Sequence, residues 1–229
     1  MGAVTIVLVH SPFVGPGSWS AVGEELRRGG RSVAVPSLVD ALTNPSPLHS
    51  ALAGAVADAV PGPAILVVHS GAGPLVPAVV DLAPAQIENV IFVDATLPHP
   101  GRRWVDTVPA ELAGQLTGRV GPDGLLPRWH EWFPPEAMAE LVPAERARVE
   151  FCADVPRVPL RYLEEIAPGS DAWQDLRCGY VQLSAAYEDA AVEAGRAGWP
   201  VARVDGHHLS GVTDPAVVAA AIARMSDAL

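Results

Sequence analysis

The chain carries a succession of short apolar runs, most of them closing on a polar residue, and this pattern leaves few folds open. Residues 5–10 (TIVLVH) form one such run. Residues 32–36, 64–69 and 89–94 repeat it, and 180–184 and 200–204 do so more weakly. Runs of Val, Ile and Leu this short and this continuous suit strands buried on both faces of a parallel sheet. Between them lie segments with helical spacing. Residues 18–28 keep Trp19, Val22 and Leu26 on one face before Gly29 and Gly30; residues 48–60 follow a Pro-rich loop; residues 71–82 begin directly after a strand. Residues 215–229 close the chain behind Asp214 and Pro215, a capping residue followed by a first-turn proline. Strand and helix alternate, so the expected fold class is α/β: a doubly wound, mostly parallel sheet with right-handed crossovers.

Residues 98–175 break the alternation. No buried strand is legible there; Pro-punctuated helical pieces at 110–116, 135–141 and 144–153 take its place, and Trp104, Trp129, Trp132 and Phe133 fall among Gly and Pro. The segment is expected to form a helical lid inserted into a single domain spanning residues 1–229, rather than a domain of its own. An ordinary helical layer on the sheet is the alternative.

Composition narrows the function classes. With 229 residues, 49% hydrophobic and 18% charged, the chain can bury a substantial core and is not disordered. No apolar run approaches the roughly 20 residues that span a bilayer. The start lacks a basic lead, and residues 3–9 read as a buried strand rather than a secretory signal, so cytoplasmic residence is expected. A formal charge of -11 argues against nucleic acid as a partner, because phosphate binding depends on basic side chains. All 15 basic residues are Arg, which removes lysine Schiff-base chemistry and any lysine-dependent phosphate loop. Cys152 and Cys178 are expected to be free thiols. No His, Asp or Cys pair has metal-ligand spacing on a shared helix, and Gly71-Ala72-Gly73 is too little for a dinucleotide fingerprint; neither metal nor cofactor is expected. The expected partner is a small-molecule substrate, with no membrane, and the chain a monomer or homodimer.

The chemistry concentrates in two places. Residues 64–73 (AILVVHSGAG) run from an apolar strand into a serine with small neighbours, and a helix begins at once. A serine on so sharp a turn has a strained backbone and presents its Oγ above the sheet, while the N–H of Gly71 sits where an oxyanion would form. Ser70 could instead be a plain helix cap. The second place, Asp205-Gly206-His207-His208-Leu209, follows the last strand and precedes the last helix. A serine nucleophile needs a base to take its proton, and a histidine in this loop can supply it.

These segments resemble the α/β-hydrolase fold superfamily, and the likeness covers nearly the whole chain. It rests on the strand ending His10-Ser11-Pro12-Phe13, the elbow at Ser70, and a Gly-His loop leading into an Asp-Pro-started helix. The compact size and the lid placement are most similar to the esterase and hydroxynitrile-lyase branch. The resemblance implies Ser70 as nucleophile, His208 rather than His207 as base, and an aromatic pocket from Phe13, Trp104, Trp129 and Trp132. It also implies a serine hydrolase acting on an ester, thioester or lactone of a small apolar substrate. The alternatives on the same scaffold are a cofactor-free lyase or cyclase, and a non-catalytic small-molecule-binding protein.

Three departures stand out. Val68 opens the elbow where the family usually has Gly. The loop after the first strand, where the family has His-Gly and an amide donor just beyond, carries Ser11 and Pro12, and proline has no N–H. Phe13 or the Ser11 hydroxyl would have to make up the oxyanion hole beside Gly71. The usual position for the acid, after the penultimate strand, overlays Ala186, with Glu188 and Asp189 just downstream. Asp94, closing the run at 89–94, is the preferred acid because a carboxylate at the end of a buried strand needs a partner. Glu188 is the second choice.

Overall fold

The computed structural model describes residues 4–45 and 47–229; Ala3, the first two residues and Ser46 lie outside them. Six strands form one all-parallel sheet in the order β2-β1-β3-β4-β5-β6. They are β1 (Thr5–Val9), β2 (Ser32–Ala34), β3 (Ala64–His69), β4 (Ile87–Val93), β5 (Arg177–Gln182) and β6 (Val201–Arg203). The order reverses between β1 and β3, so the loops after these two strands open a crevice at the carboxyl edge of the sheet, where ligands of such folds bind.

Strand alternation explains why the apolar runs are continuous. Ile6, Leu8, Ile65, Val67, Ile91, Val93 and Val181 face one side, where they pack on Trp19 and on helices α1 (Ser20–Arg28) and α10 (Pro215–Ala228). Val7, Val9, Leu66, Val68, Val90, Phe92 and Tyr180 face the other, against α2 (Leu48–Asp58), α3 (Val76–Leu82) and α8 (Glu188–Arg196). Both faces are covered, so Ile6–Val9 of β1, Ala64–Val68 of β3 and Val90–Val93 of β4 are all apolar.

Two elements differ from expectation. The helix expected over residues 71–82 is a 3₁₀ segment, Ser70–Leu75, that passes into α3 only at Val76. Pro74 and Pro77 lack the N–H groups that α-helical bonds at these positions would need. The strand expected over 180–184 lies instead at Arg177–Gln182. It stops there because the N–H groups of Leu183 and Ser184 turn onto the Asp94 carboxylate rather than continuing the ladder.

Between β4 and β5 the chain forms α4 (Ala110–Thr117), α5 (Pro135–Leu141), α6 (Glu145–Asp154) and the short α7 (Arg161–Glu164). A separate apolar cluster ties this segment to the loops of the sheet: Met138, Val142, Phe151 and Val155 pack with Val14 and Leu209. The Asp154 carboxylate accepts a hydrogen bond from the Gly17 N–H at 2.6 Å, docking α6 on the loop after β1. Cys152 and Cys178 are both free. Among the described residues, no helix is long and apolar enough to cross a membrane.

Candidate active site

The strand-to-helix turn after β3 is strained at the serine itself. Ser70 has φ +55°, in the left-handed region that side chains other than glycine rarely adopt. The surrounding bonds over-determine this conformation. Thr96 binds the Ser70 carbonyl through its N–H (3.1 Å) and its hydroxyl (3.2 Å), and the Tyr162 hydroxyl donates to the Gly71 carbonyl at 2.7 Å. Gly73 is required here: a Cβ at this position would overlap the Thr96 carbonyl oxygen. Ser70 does not serve as a helix cap; its Oγ bonds to two side chains.

One of these is His208, which follows β6 and stands just ahead of the short helix α9 (Ser210–Thr213). Its Nε2 lies 3.1 Å from Ser70 Oγ, and its Nδ1 lies 2.9 Å from Asp94 Oδ2. Asp94 is fully buried, has φ +42°, and accepts further bonds from Leu183 N–H (2.7 Å), Ser184 N–H (3.0 Å) and Ser184 Oγ (2.6 Å). Burial alone would raise its carboxyl pKa. The hydrogen bonds from His208, Ser184 and Leu183 outweigh that and hold it below the ordinary carboxylate range. Glu188, the second choice for the acid, is exposed and engaged elsewhere, with Gln182 at 2.8 Å and Arg203 at 3.0 Å. His207 points away and bonds to the Thr213 hydroxyl and the Leu209 N–H.

The imidazole of His208 is held on both faces. The His69 ring stacks on it at 4.6 Å and the Tyr187 ring at 4.9 Å, the latter only 8° from parallel; two rings this close must take opposite faces. His69 donates its Nε2–H to the His208 carbonyl at 3.2 Å. Burial, with repulsion from His208 next, lowers the His69 pKa to about 3, so it stays neutral and adds no charge beside its neighbour. Tyr187 also places its hydroxyl 3.2 Å from Ser70 Oγ. Tyr187, Ser184 and Thr96 belong to no motif in the sequence. Only their positions just past strand ends marked them, and that signal is shared by many loop residues.

The turn after β1 forms the opposite wall. His10 accepts the Leu38 N–H on Nε2 (3.0 Å), which leaves Nδ1–H to donate to the Ser11 carbonyl (2.8 Å). Pro12 is buried and offers no donor. The Phe13 N–H turns back onto Ser11 Oγ at 3.3 Å. A Cβ on Gly71 would lie 3.1 Å from both Ser11 Oγ and the Phe13 ring, so this hydroxyl sits against the elbow. A cavity of about 680 Å³ opens on Ser70 and His208, walled by Trp104, Trp129, Trp132, Leu112, Leu116 and Tyr187. An extension of about 130 Å³ passes Phe13, Gly71 and Leu163.

Solved structures share this architecture from end to end. An extracellular α/β-hydrolase from a Paenibacillus species, described as sharing structural and functional homology with tobacco salicylic acid binding protein 2, superposes with a TM-score of 0.79 at 19% identity, covering 97% of this chain and 98% of that one. A pyrethroid hydrolase superposes with a TM-score of 0.74 at 18% identity, covering 99% of this chain and 98% of that one. Tomato methylketone synthase I, in complex with 2-tridecanone, gives 0.74 at 18% identity, with 99% of each chain covered. This chain has the α/β-hydrolase fold. No family model matches the sequence, and no curated protein sequence matches it.

Within the α/β-hydrolase fold, the three departures acquire physical explanations. Val68 is tolerated because it is a buried strand residue packed in the core, and the close approach falls on Gly73 instead. The carboxylate beside His208 comes from the end of β4, and the loop after β5 contributes donors to it rather than an acid. Pro12 leaves the wall facing Gly71 without a backbone donor of its own, and Ser11 Oγ occupies the adjacent space.

Proposed function

We propose that the protein is a serine hydrolase that cleaves an ester, thioester or lactone of a small apolar substrate. The single observation behind this reading is the hydrogen-bonded chain from Ser70 Oγ through His208 to Asp94, with links of 3.1 Å and 2.9 Å, at the floor of an aromatic-walled cavity. The α/β-hydrolase fold supports a hydrolase in general, and solved neighbours include a pyrethroid hydrolase and a polyneuridine aldehyde esterase.

In this reading Ser70 Oγ attacks the substrate carbonyl as His208 Nε2 takes its proton, and His208 then protonates the leaving group. Asp94 fixes the imidazole with Nδ1 protonated and stabilises the cation that forms. The Gly71 N–H and the Ser11 hydroxyl, itself steadied by the Phe13 N–H, donate to the oxyanion. The segment from residue 98 to 175 acts as a lid, and Phe13, Trp104, Trp129 and Trp132 receive the apolar acyl or ring portion.

A fluorophosphonate probe tests the reading. Stoichiometric labelling at Ser70, lost in Ser70→Ala and in His208→Ala, is the expected result. A folded wild-type protein that takes up no label would overturn it and leave the lyase, cyclase or binding-protein alternatives.

A further inference from the structure

Ser70 Oγ has two polar side-chain neighbours, His208 Nε2 at 3.1 Å and the Tyr187 hydroxyl at 3.2 Å. Counting protons gives each bond its direction. The Asp94 carboxylate only accepts, so His208 Nδ1 carries a hydrogen, and in the neutral imidazole that acts as the base Nε2 accepts from Ser70. The single hydrogen of Ser70 is then committed, and Tyr187 must be the donor to Oγ. Its ring lies parallel to the imidazole, 4.9 Å away, and its position is fixed by the 3₁₀ turn Ala185–Tyr187, which begins next to the residue whose hydroxyl holds Asp94. Burial pushes the phenol up to about 12, so the proton stays on Tyr187 at neutral pH.

We propose that Tyr187 is a catalytic residue of the deacylation step, its hydroxyl donating to Ser70 Oγ as that atom leaves the acyl group. This rests on the serine-hydrolase reading. Water bonds to the acyl carbon and gives one proton to His208 Nε2. The intermediate then collapses: the bond from carbon to Oγ breaks, its electron pair stays on Oγ, and His208 returns the proton there. Tyr187 keeps its own proton throughout.

The two half-reactions feel this donor unequally. In the free enzyme the bond to Oγ is already made, so attack gains only its strengthening. In the acyl-enzyme Oγ is an ester oxygen, a poor acceptor, and nearly the whole bond is gained as charge returns to it. Tyr187 therefore accelerates the second half-reaction more than the first.

Tyr187→Phe keeps the stacked ring and removes only the oxygen. With p-nitrophenyl acetate, the expected result is a burst of nitrophenolate close to one per active site. The steady rate that follows should be about 10- to 100-fold below wild type, the range of a hydrogen bond to a charged group. Because slow deacylation lowers kcat and KM together, kcat/KM should stay within a few-fold. Fluorophosphonate labelling of Ser70 at a near-wild-type rate would show that the variant is folded and competent for acylation. Unchanged turnover, an equal loss in kcat and kcat/KM without a burst, or loss of labelling would each overturn the assignment while the hydrolase reading stands. Wild-type protein that neither takes label nor releases nitrophenolate would remove the hydrolase reading itself.

Discussion

The Ser184 hydroxyl donates to the Asp94 carboxylate at 2.6 Å, across the carboxyl ends of the adjacent strands β4 and β5. With the N–H groups of Leu183 and Ser184 and with His208, it gives a fully buried carboxylate four donors. A carboxylate so satisfied remains ionised, and it can orient the imidazole and balance its charge. Asp94→Asn should therefore lower turnover of an ester by about 10⁴-fold in a folded protein, as loss of the orienting acid does in serine enzymes generally. Glu188→Gln should stay within a few-fold of wild type. Steady-state kinetics on both variants checks the assignment, and comparable losses in the two would contradict it.

Ser11→Ala tests the oxyanion wall. If the Ser11 hydroxyl supplies the donor that Pro12 lacks, its removal should lower kcat by about 100- to 1000-fold with little change in KM. Melting temperature should fall only by a few degrees, because the Phe13 N–H loses its acceptor while the His10 bonds to Leu38 and to the Ser11 carbonyl still hold this turn. A kcat within threefold of wild type would assign the second donor elsewhere.

The strain at Ser70 predicts a stability difference between two variants that lack its hydroxyl. Both Ser70→Ala and Ser70→Gly remove Oγ, yet only glycine accepts φ +55° without penalty. Ser70→Gly should be the more stable by about 1 kcal/mol, the usual cost of a left-handed non-glycine residue. Urea denaturation measures this. The reverse order would show that the elbow relaxes once the hydroxyl is gone.

At Gly73 the effect is opposite. Gly73→Ala drives a methyl into the Thr96 carbonyl, which is backbone and cannot rotate aside. The expected cost is about 3 kcal/mol, the upper range for overpacking, together with loss of fluorophosphonate labelling as the turn shifts. A variant with wild-type stability and labelling would mean that the Thr96 segment moves freely.

The buried histidine beneath the site makes stability depend on pH. His69 has a folded pKa of about 3 against an ordinary value of 6.5, chiefly because burial disfavours its cation. Between these values the unfolded chain binds a proton that the folded chain does not, so stability falls as pH falls through that window, by about 1.4 kcal/mol per pH unit for one such group. Asp94 acts in the same direction at lower pH. Its folded pKa is depressed, so its contribution is complete above the ordinary carboxylate value of 3.8 and is lost as pH falls through the lowered one. Unfolding free energies measured from pH 7 to pH 4 should decline in the wild type. His69→Gln should decline less steeply, and an unchanged slope would place the proton uptake on other groups.

How much of this was legible beforehand follows from which interactions are local. The runs at 64–69 and 89–94 announced two central strands because both faces of the sheet are covered and every position short of their polar ends had to be apolar. The turn at Ser70 was readable because its strain and the close approach at Gly73 demand small residues in sequence order. His208 and Asp94 could be named as candidates from their places at strand ends. The ends of the 3₁₀ segment and of β5 are not legible in local sequence. Pro74 and Pro77 act through missing donors, and β5 is cut short by a carboxylate 89 residues away in the chain.

The sequence by itself determined the alternating strands and helices, the parallel sheet they imply, and the strained serine, since each is written in neighbouring residues. Only the tertiary structure decided that Asp94 rather than Glu188 reaches His208, and that Ser11 Oγ sits against Gly71. It alone set the Tyr187 ring over the imidazole with its hydroxyl on Ser70. These choices depend on contacts a few ångströms long between segments distant in the chain, and spacing along a sequence carries no measure of such distances.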